Sequence, residues 1–267
     1  MNYITSPNNN TVKEVKQLKE RRYREEKGLF FIEGSRFVEE AVKENITLNK
    51  LFISEKFASD ADNEDLIHRA SSKSHDTFVL TDKLFKEISD TGNPQGILAV
   101  ISVKQYLLHD VLNDNSFIIL LDAIQDPGNM GTIIRTADAA GVTAIIASKG
   151  SVDIYNPKVL RSTMGSVFRI PVVHSENIES AIAEIKKHGI KIYAAHLDGE
   201  TDYFNIDYPS NSAFIIGNEA NGISDSVASC ADMLVKIPMP GKAESLNASI
   251  AAALLMYEVI RQRNMKL

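Results

Sequence analysis

The sequence predicts an α/β protein whose second half is built on a mostly parallel sheet. The short apolar run at residues 117–121 is continuous rather than alternating, and similar runs occur at 144–147, 190–195, 213–216 and 233–237. Strands covered on both faces read this way. Helical patterns separate most of them, notably at 130–140 and 176–188, and strands alternating with helices make a parallel sheet. A long closing helix, rich in Ala and Leu, is expected over 246–264.

The first half is a separate, smaller α/β region. Residues 11–27 read as one helix, with Asn10 or Thr11 as cap, Val12, Val15, Leu18 and Tyr23 approximating an apolar face, and Gly28 ending it. Strand follows at 29–32 and helix at 35–43. The alternation continues through 50–54, 66–71, 77–80 and 82–88. A strand at 97–103 closes the region after the turn Gly92-Asn93-Pro94. The expected division is therefore a domain at 1–107, a polar linker at 108–116 and a second domain at 117–267.

Composition narrows the class. With 44% apolar and 24% charged residues in 267, the chain has enough apolar side chains for a real core. No apolar run approaches the roughly 20 residues a bilayer requires. The N-terminus lacks a basic stretch followed by an apolar one. The single cysteine, Cys230, excludes an internal disulfide framework and a cysteine-based zinc site. A cytoplasmic protein is expected. The six histidines show no metal-ligand spacing, and no metal is expected. A net charge of −6 excludes a generally basic nucleic-acid coat but not a local basic face.

Three loops follow three of the buried strands, where open α/β sheets bind ligands. The first runs from Asp122 to Gly141. Pro127 and Gly128 make a turn, and a helix starts near Met130 with Asn129 as its cap. Arg135 shares a face with Thr132 and Asp138, placed to hold a phosphate by its planar fork. The second loop is Gly217-Asn218-Glu219-Ala220-Asn221-Gly222. Its glycines permit close approach of a ligand. The third spans Ile237-Pro238-Met239-Pro240-Gly241 to Ala248. Its prolines forbid regular structure, and Ser245 or Asn247 opens the last helix. Taken singly, the first loop reads equally as a capped helix with a solvated Arg. The second reads more simply as a polar turn. The third is explained less well by a cap alone, because Ser245 and Asn247 are both present. The dinucleotide fingerprint is absent: Gly128 and Gly131 give only Gly-x-x-Gly.

Together, in this order and spacing, the three loops resemble the three motifs of the SpoU (TrmH-like) branch of the SPOUT RNA methyltransferases. The likeness spans about 117–261. The segment from Ser6-Pro7-Asn8 through Lys16 and Arg22 to Gly28-Leu29-Phe30-Phe31-Ile32-Glu33-Gly34-Ser35-Arg36 resembles the family's small substrate-binding domain, itself related to ribosomal proteins that grip bent RNA.

This resemblance implies a parallel sheet whose C-terminal chain forms a deep trefoil knot. It also implies a homodimer, S-adenosylmethionine as cofactor and methylation of a ribose 2′-hydroxyl of structured RNA, preferably 23S-type ribosomal RNA. A transfer-RNA enzyme and a non-catalytic RNA-binding or ribosome-assembly factor are the alternatives. The implied catalytic set is Arg135, Asn129, Glu219, Ser245 and Asn247. The implied cofactor contacts are Gly217, Asn218, Ile237, Pro238, Met239, Ser245, Leu246 and Asn247. Lys16, Arg21, Arg22, Arg24 and Arg36 are the RNA-grip candidates, although Glu14, Glu20, Glu25 and Glu26 interleave with them as on a solvated helix. Residues 161–166 line the RNA side or simply end a helix.

Overall fold

The computed structural model describes residues 1–265; residues 266–267, the end of the expected second domain, lie outside them. In chain order the elements are β1 (Asn2–Ile4), α1 (Asn10–Gln17), α2 (Arg21–Lys27), β2 (Leu29–Glu33), α3 (Ser35–Lys43), β3 (Leu48–Ser54), α4 (Glu55–Ser59), α5 (Glu64–Ser72), β4 (Ser74–Leu80), α6 (Asp82–Ile88), β5 (Ile97–Ser102) and α7 (Leu108–Val111). They continue with β6 (Phe117–Leu121), α8 (Pro127–Ala139), β7 (Ala144–Ser148), α9 (Pro157–Thr163), β8 (Val172–Ser175), α10 (Ile178–Lys187), β9 (Lys191–Ala195), β10 (Thr201–Asp202), β11 (Ser212–Ile216), α11 (Asp225–Ala228), β12 (Met233–Lys236) and α12 (Ala248–Met265).

Two compact units result. One is Met1–Lys104 together with Tyr155–Phe168; the other begins at Gln105 and resumes at Arg169. The segment Tyr155–Phe168 was expected in the second half and belongs instead with the first unit. Its apolar side chains decide this. Leu160 is buried in the first unit's core, Tyr155 packs on Phe30 at 4.5 Å and Phe168 on Phe37 at 5.5 Å. The stretch expected as linker carries the short helix α7.

The first unit is a sheet of order β1-β4-β3-β5-β2. Side chains alternate across it: Phe30, Ile32, Leu51 and Ile53 enter a core shared with α3 and α5. Phe31, Phe52, Leu98 and Val100 enter another shared with α1 and α6. The single helix expected over 11–27 is broken. Val12, Val15 and Leu18 recur every three residues and are buried, but the next apolar position, Tyr23, is five further on. No single helical face accommodates that step. Glu20 is extended, and α2 starts afresh after it. The Arg24 guanidinium folds back into the break and donates to the carbonyls of Leu18 at 2.7 Å and Lys19 at 2.8 Å.

The second unit is a sheet of order β10-β12-β9-β11-β6-β7-β8, with every pairing parallel. Ile118, Leu120, Ile146 and Ile215 face a core shared with α10 and α11. On the other side α12 packs on α8 and β11. In this register Leu121 lies opposite Ile216, Ile215 opposite Ala194 and Ala195 opposite Val235. The C-terminal ends of β6, β11, β9 and β12 therefore stand in one row. Neighbouring strands lie about 4.8 Å apart, so the loops leaving this row are side by side. Among the described residues no helix is long and apolar enough to cross a membrane.

The break after α1 yields a prediction. Arg24 is 4% exposed, and removing it takes a donor from one buried and one partly buried carbonyl. Arg24→Ala should lower the unfolding free energy by about 2–3 kcal/mol in urea titration. Arg21→Ala, whose side chain is 58% exposed in an ion pair with Glu25, should change it by less than ~0.5 kcal/mol.

Candidate active site

The row of strand ends carries a cleft of about 470 Å3, lined by residues of the loops after β9, β11 and β12 and by the start of α12. The loop after β6 abuts it through hydrogen bonds. Asp126, not Asn129, caps α8: its Oδ1 accepts from the Asn129 N–H at 2.8 Å, and Pro127 takes the first helical position. Proline suits that position because its φ is already helical and it has no N–H to satisfy. The helix therefore begins three residues earlier than expected. Asn129 sits inside its first turn, 8% exposed.

Released from capping, the Asn129 side chain bridges the other two loops. Its Nδ2 donates to Glu219 Oε1 at 2.9 Å, and its Oδ1 accepts from Asn247 Nδ2 at 2.8 Å. Asn247 in turn caps α12, its Oδ1 accepting from the Ser249 N–H at 2.9 Å and the Ser249 hydroxyl at 2.6 Å. Glu219 also accepts from the backbone N–H groups of Gln125 at 3.2 Å and Asp126 at 3.1 Å. Burial pushes the Glu219 carboxyl up. The bonds from Asn129 and from the backbone of Glu219, Gln125 and Asp126 outweigh this and hold it below the ordinary glutamate value.

Two further ties fasten the loops. Asn218 Nδ2 donates to the Ala123 carbonyl at 2.7 Å, and Asp122 Oδ2 accepts from the Ser224 N–H at 2.9 Å and its hydroxyl at 2.8 Å. Gly217 is required by close backbone approach. A Cβ there would lie 2.2 Å from the Gly222 carbonyl carbon and the Ile223 nitrogen. Gly222 itself takes φ 69°, the left-handed region open to glycine.

Of the residues singled out in the sequence, Gly217, Asn218, Glu219, Ile237, Met239, Ser245 and Leu246 line the cleft. Asn129 and Asn247 are joined to Glu219 beside it. Pro238 and Arg135 are not among its lining residues. Arg135 is exposed on α8, six residues beyond Asn129, which on an ideal helix is about 9 Å along the axis and ~120° around it. Within one chain no hydrogen bond or ion pair joins Arg135 to the other motif residues among the described residues.

Among the RNA-grip candidates, Lys16 pairs with Glu87 at 2.6 Å and Arg21 with Glu25 at 2.7 Å, while Arg22 and Arg36 are exposed. Arg24 departs from the expected outward role because its donors serve the α1 break.

His196, Leu197 and Asp198, after β9, were not singled out and also line the cleft. The signal was present: residues 190–195 form a buried strand, and the rule that selected the other loops applies equally to the one after it. Asp122 and Asp126 were likewise missed as carboxylates that tie loops and cap.

The cleft combines apolar and acidic side chains: its lining includes Ile216, Ile237, Met239 and Leu246 together with Asp198, Glu219 and Glu244. Leu246 is 38% exposed there. Such a donor set fits a flat heterocycle carried on a cation, with loop backbone able to read the ring's polar edge.

Residues 116–257 match the SpoU rRNA methylase family. The chain belongs to that family. Residues 9–99 match an MRM3-like substrate binding domain. The chain is 36% identical to the Bacillus subtilis 23S rRNA (guanosine(2553)-2′-O)-methyltransferase RlmP, over 97% of this chain and 99% of that one. It superposes on the AdoMet-bound rRNA methyltransferase from Sinorhizobium meliloti with a TM-score of 0.87 at 31% identity, covering 97% of each chain. It superposes equally on the SpoU methyltransferase AviRb from Streptomyces viridochromogenes in complex with AdoMet, at 27% identity over 96% of this chain and 98% of that one. The expected fold, a mostly parallel SPOUT α/β sheet of the trefoil-knot class with a smaller N-terminal α/β domain, is thus the fold of this SpoU chain.

The depressed Glu219 value sets a pH window. Its stabilisation is complete above the ordinary glutamate pKa of about 4.3 and is lost as pH falls through the lower folded value. Thermal stability of the SpoU domain should fall in that acid range, and Glu219→Gln should lose about 1 kcal/mol at neutral pH and flatten the acid limb. Gly217→Ala should abolish cofactor binding in calorimetry while circular dichroism retains the α/β signature.

Proposed function

We propose that this protein is an S-adenosylmethionine-dependent methyltransferase acting on a ribose 2′-hydroxyl of ribosomal RNA, with 23S-type RNA as substrate. The observation that carries this reading is the Glu219–Asn129–Asn247 chain of hydrogen bonds. It converts three separate motif loops into one hydrogen-bonded frame beside a cleft lined by both acidic and apolar side chains. When bound, S-adenosylmethionine supplies a methyl group on a sulfonium and a neutral leaving thioether.

Gly217, Asn218, Ile237, Met239, Ser245 and Leu246 would hold the cofactor in the cleft they line, with Asn247 beside it. The carboxylates of Asp198, Glu219 and Glu244 favour its positive charge. The remaining task of the protein is to place the ribose and stabilise its oxygen as the hydroxyl proton passes to the adjacent RNA phosphate or to solvent water. Arg135 does this. A guanidinium stays protonated, with a pKa above ~12. It therefore grips the neighbouring phosphate and stabilises the developing alkoxide rather than accepting the proton.

Arg135 reaches the cleft from a second copy of the chain. It is exposed on α8, and α12, which packs on α8, exposes Ile250 and Tyr257 to the extent of 49% and 51%. These residues are seven apart and share a helix face. Covering that face with its symmetry mate forms the homodimer. Lys16, Arg21, Arg22 and Arg36 contribute to holding RNA phosphates, Arg161 and its segment line the RNA side, and the enzyme works in the cytoplasm.

Tritium transfer from labelled S-adenosylmethionine to ribosomal RNA, followed by nuclease digestion and mass spectrometry, tests the activity. A methylated ribose is expected. A methylated base, or RNA binding without transfer, would defeat it. Arg135→Ala should abolish transfer while leaving cofactor affinity within about twofold. Mixing inactive Arg135→Ala with inactive Gly217→Ala chains should restore partial activity, because one of the two sites in a mixed dimer then combines an intact Gly217 with an intact Arg135.

A further inference from the structure

The first unit carries its own concavity, of about 340 Å3, at the small end of ligand-sized cavities. It lies where the 90–95 loop, the start of α3 and the segment after α9 meet. We propose that this cavity receives an unstacked nucleobase of the substrate RNA, seated against Phe37 and Met164 and read by the side-chain amides of Asn93 and Gln95. The proposal rests on the RNA-methyltransferase reading above and adds the place where sequence is sensed.

The stacking surface is built rather than incidental. Phe37 is held from behind by Phe168, with ring centroids 5.5 Å apart. Met164 is 43% exposed and takes φ 51°, followed by Gly165 at φ 92°. An unbranched apolar side chain in left-handed backbone is disfavoured by about 1 kcal/mol or more. Such strain is retained where surrounding structure enforces it, commonly at ligand sites. Here Met164 ends α9, and the turn that follows lies close to α3: a Cβ at Gly165 would lie 3.0 Å from Glu40 Cβ. Thioethers and aromatic rings are good surfaces for π-faces.

One of the two edge-reading amides is oriented. Gln95 Oε1 accepts from the Ser35 N–H at 2.8 Å, which turns its Nε2 donor the opposite way. The loop bearing Asn93 and Gln95 is anchored at its start, since Glu33 accepts from the Asp90 N–H at 2.8 Å and from the Thr91 hydroxyl. Arg161 Nη1 donates to Asp90 Oδ2 at 2.7 Å. Charge argues for a base over a phosphate inside. Glu33 and Glu40 line the cavity together with Arg36 and Arg161, so it has no net attraction for an anion. The exposed guanidinium of Arg36 instead suits a phosphate flanking a base, while Arg161 is held by Asp90. Recognition of splayed bases by stacking and edge hydrogen bonds is how proteins read single-stranded RNA.

The test uses the full-length protein with short homopolymeric oligoribonucleotides of each base and an abasic strand of the same length, measured by fluorescence anisotropy. Met164→Gly removes the thioether and relieves the backbone strain, so it should fold. Phe37→Ala removes the ring. Wild type should bind at least one base-bearing strand roughly 10-fold or more tighter than the abasic strand. Both variants should erase that preference and raise KM for ribosomal RNA by a similar factor, with kcat and S-adenosylmethionine affinity unchanged. Equal binding of base-bearing and abasic strands by wild type overturns the proposal, as do variants that keep the preference. A wild type that prefers a base yet transfers no methyl group to RNA would support the cavity and defeat the activity.

Discussion

The bond from Asn129 to Glu219 governs the architecture of the cleft. A carboxylate only accepts hydrogen bonds, so the amide facing it must present its NH2 group. That leaves the Asn129 oxygen toward Asn247, which must then present its own NH2 group. The Asn247 oxygen is left for the free N–H groups at the start of α12. One ionised side chain thereby fixes the orientation of two amides and the cap of the last helix. The relay has one consistent polarity, and neutralising Glu219 would remove the reason for it. Partial burial strengthens the constraint, because an amide of this kind left unpaired costs about 1–3 kcal/mol.

This relay works because the sheet delivers its participants to one edge. A parallel sheet places every strand's carboxyl end on the same side, and the register aligns four of those ends in a row. Loops separated by about a hundred residues in the chain then need only short reaches to meet. The result is a hydrogen-bonded frame beside a cleft lined by both acidic and apolar side chains. Arg135, exposed on α8, takes no part in that relay.

The first unit follows a different economy of charge. Its basic helices are largely satisfied from within: Lys16 by Glu87, Arg21 by Glu25 and Arg24 by backbone carbonyls. The local field available to RNA is therefore smaller than the count of lysines and arginines suggests. Its more distinctive feature is the segment Tyr155–Phe168, whose Leu160 and aromatic residues complete a core otherwise made by the first hundred residues. Strands β7 and β8 of the other unit flank this segment in the chain.

Local pattern was enough for the α/β class, for the buried strands of the second unit and for the three motif loops, because continuous apolar runs and Gly/Pro punctuation report directly on backbone environment. It was not enough for the partners of those loops. Asn129 looked like a helix cap because Asn before an apolar helical run is a good cap. Only the fold shows Asp126 holding that position, which frees Asn129 for Glu219, ninety residues away. Arg24 looked like a surface cation because its neighbours are charged; the five-residue step from Leu18 to Tyr23 turns it inward. The allegiance of residues 155–168 was invisible because it depends on the distant aromatic rings of Phe30 and Phe37. Periodicity records which way a residue faces along its own element, whereas hydrogen-bond partners and core membership are set by contacts between elements far apart in the chain.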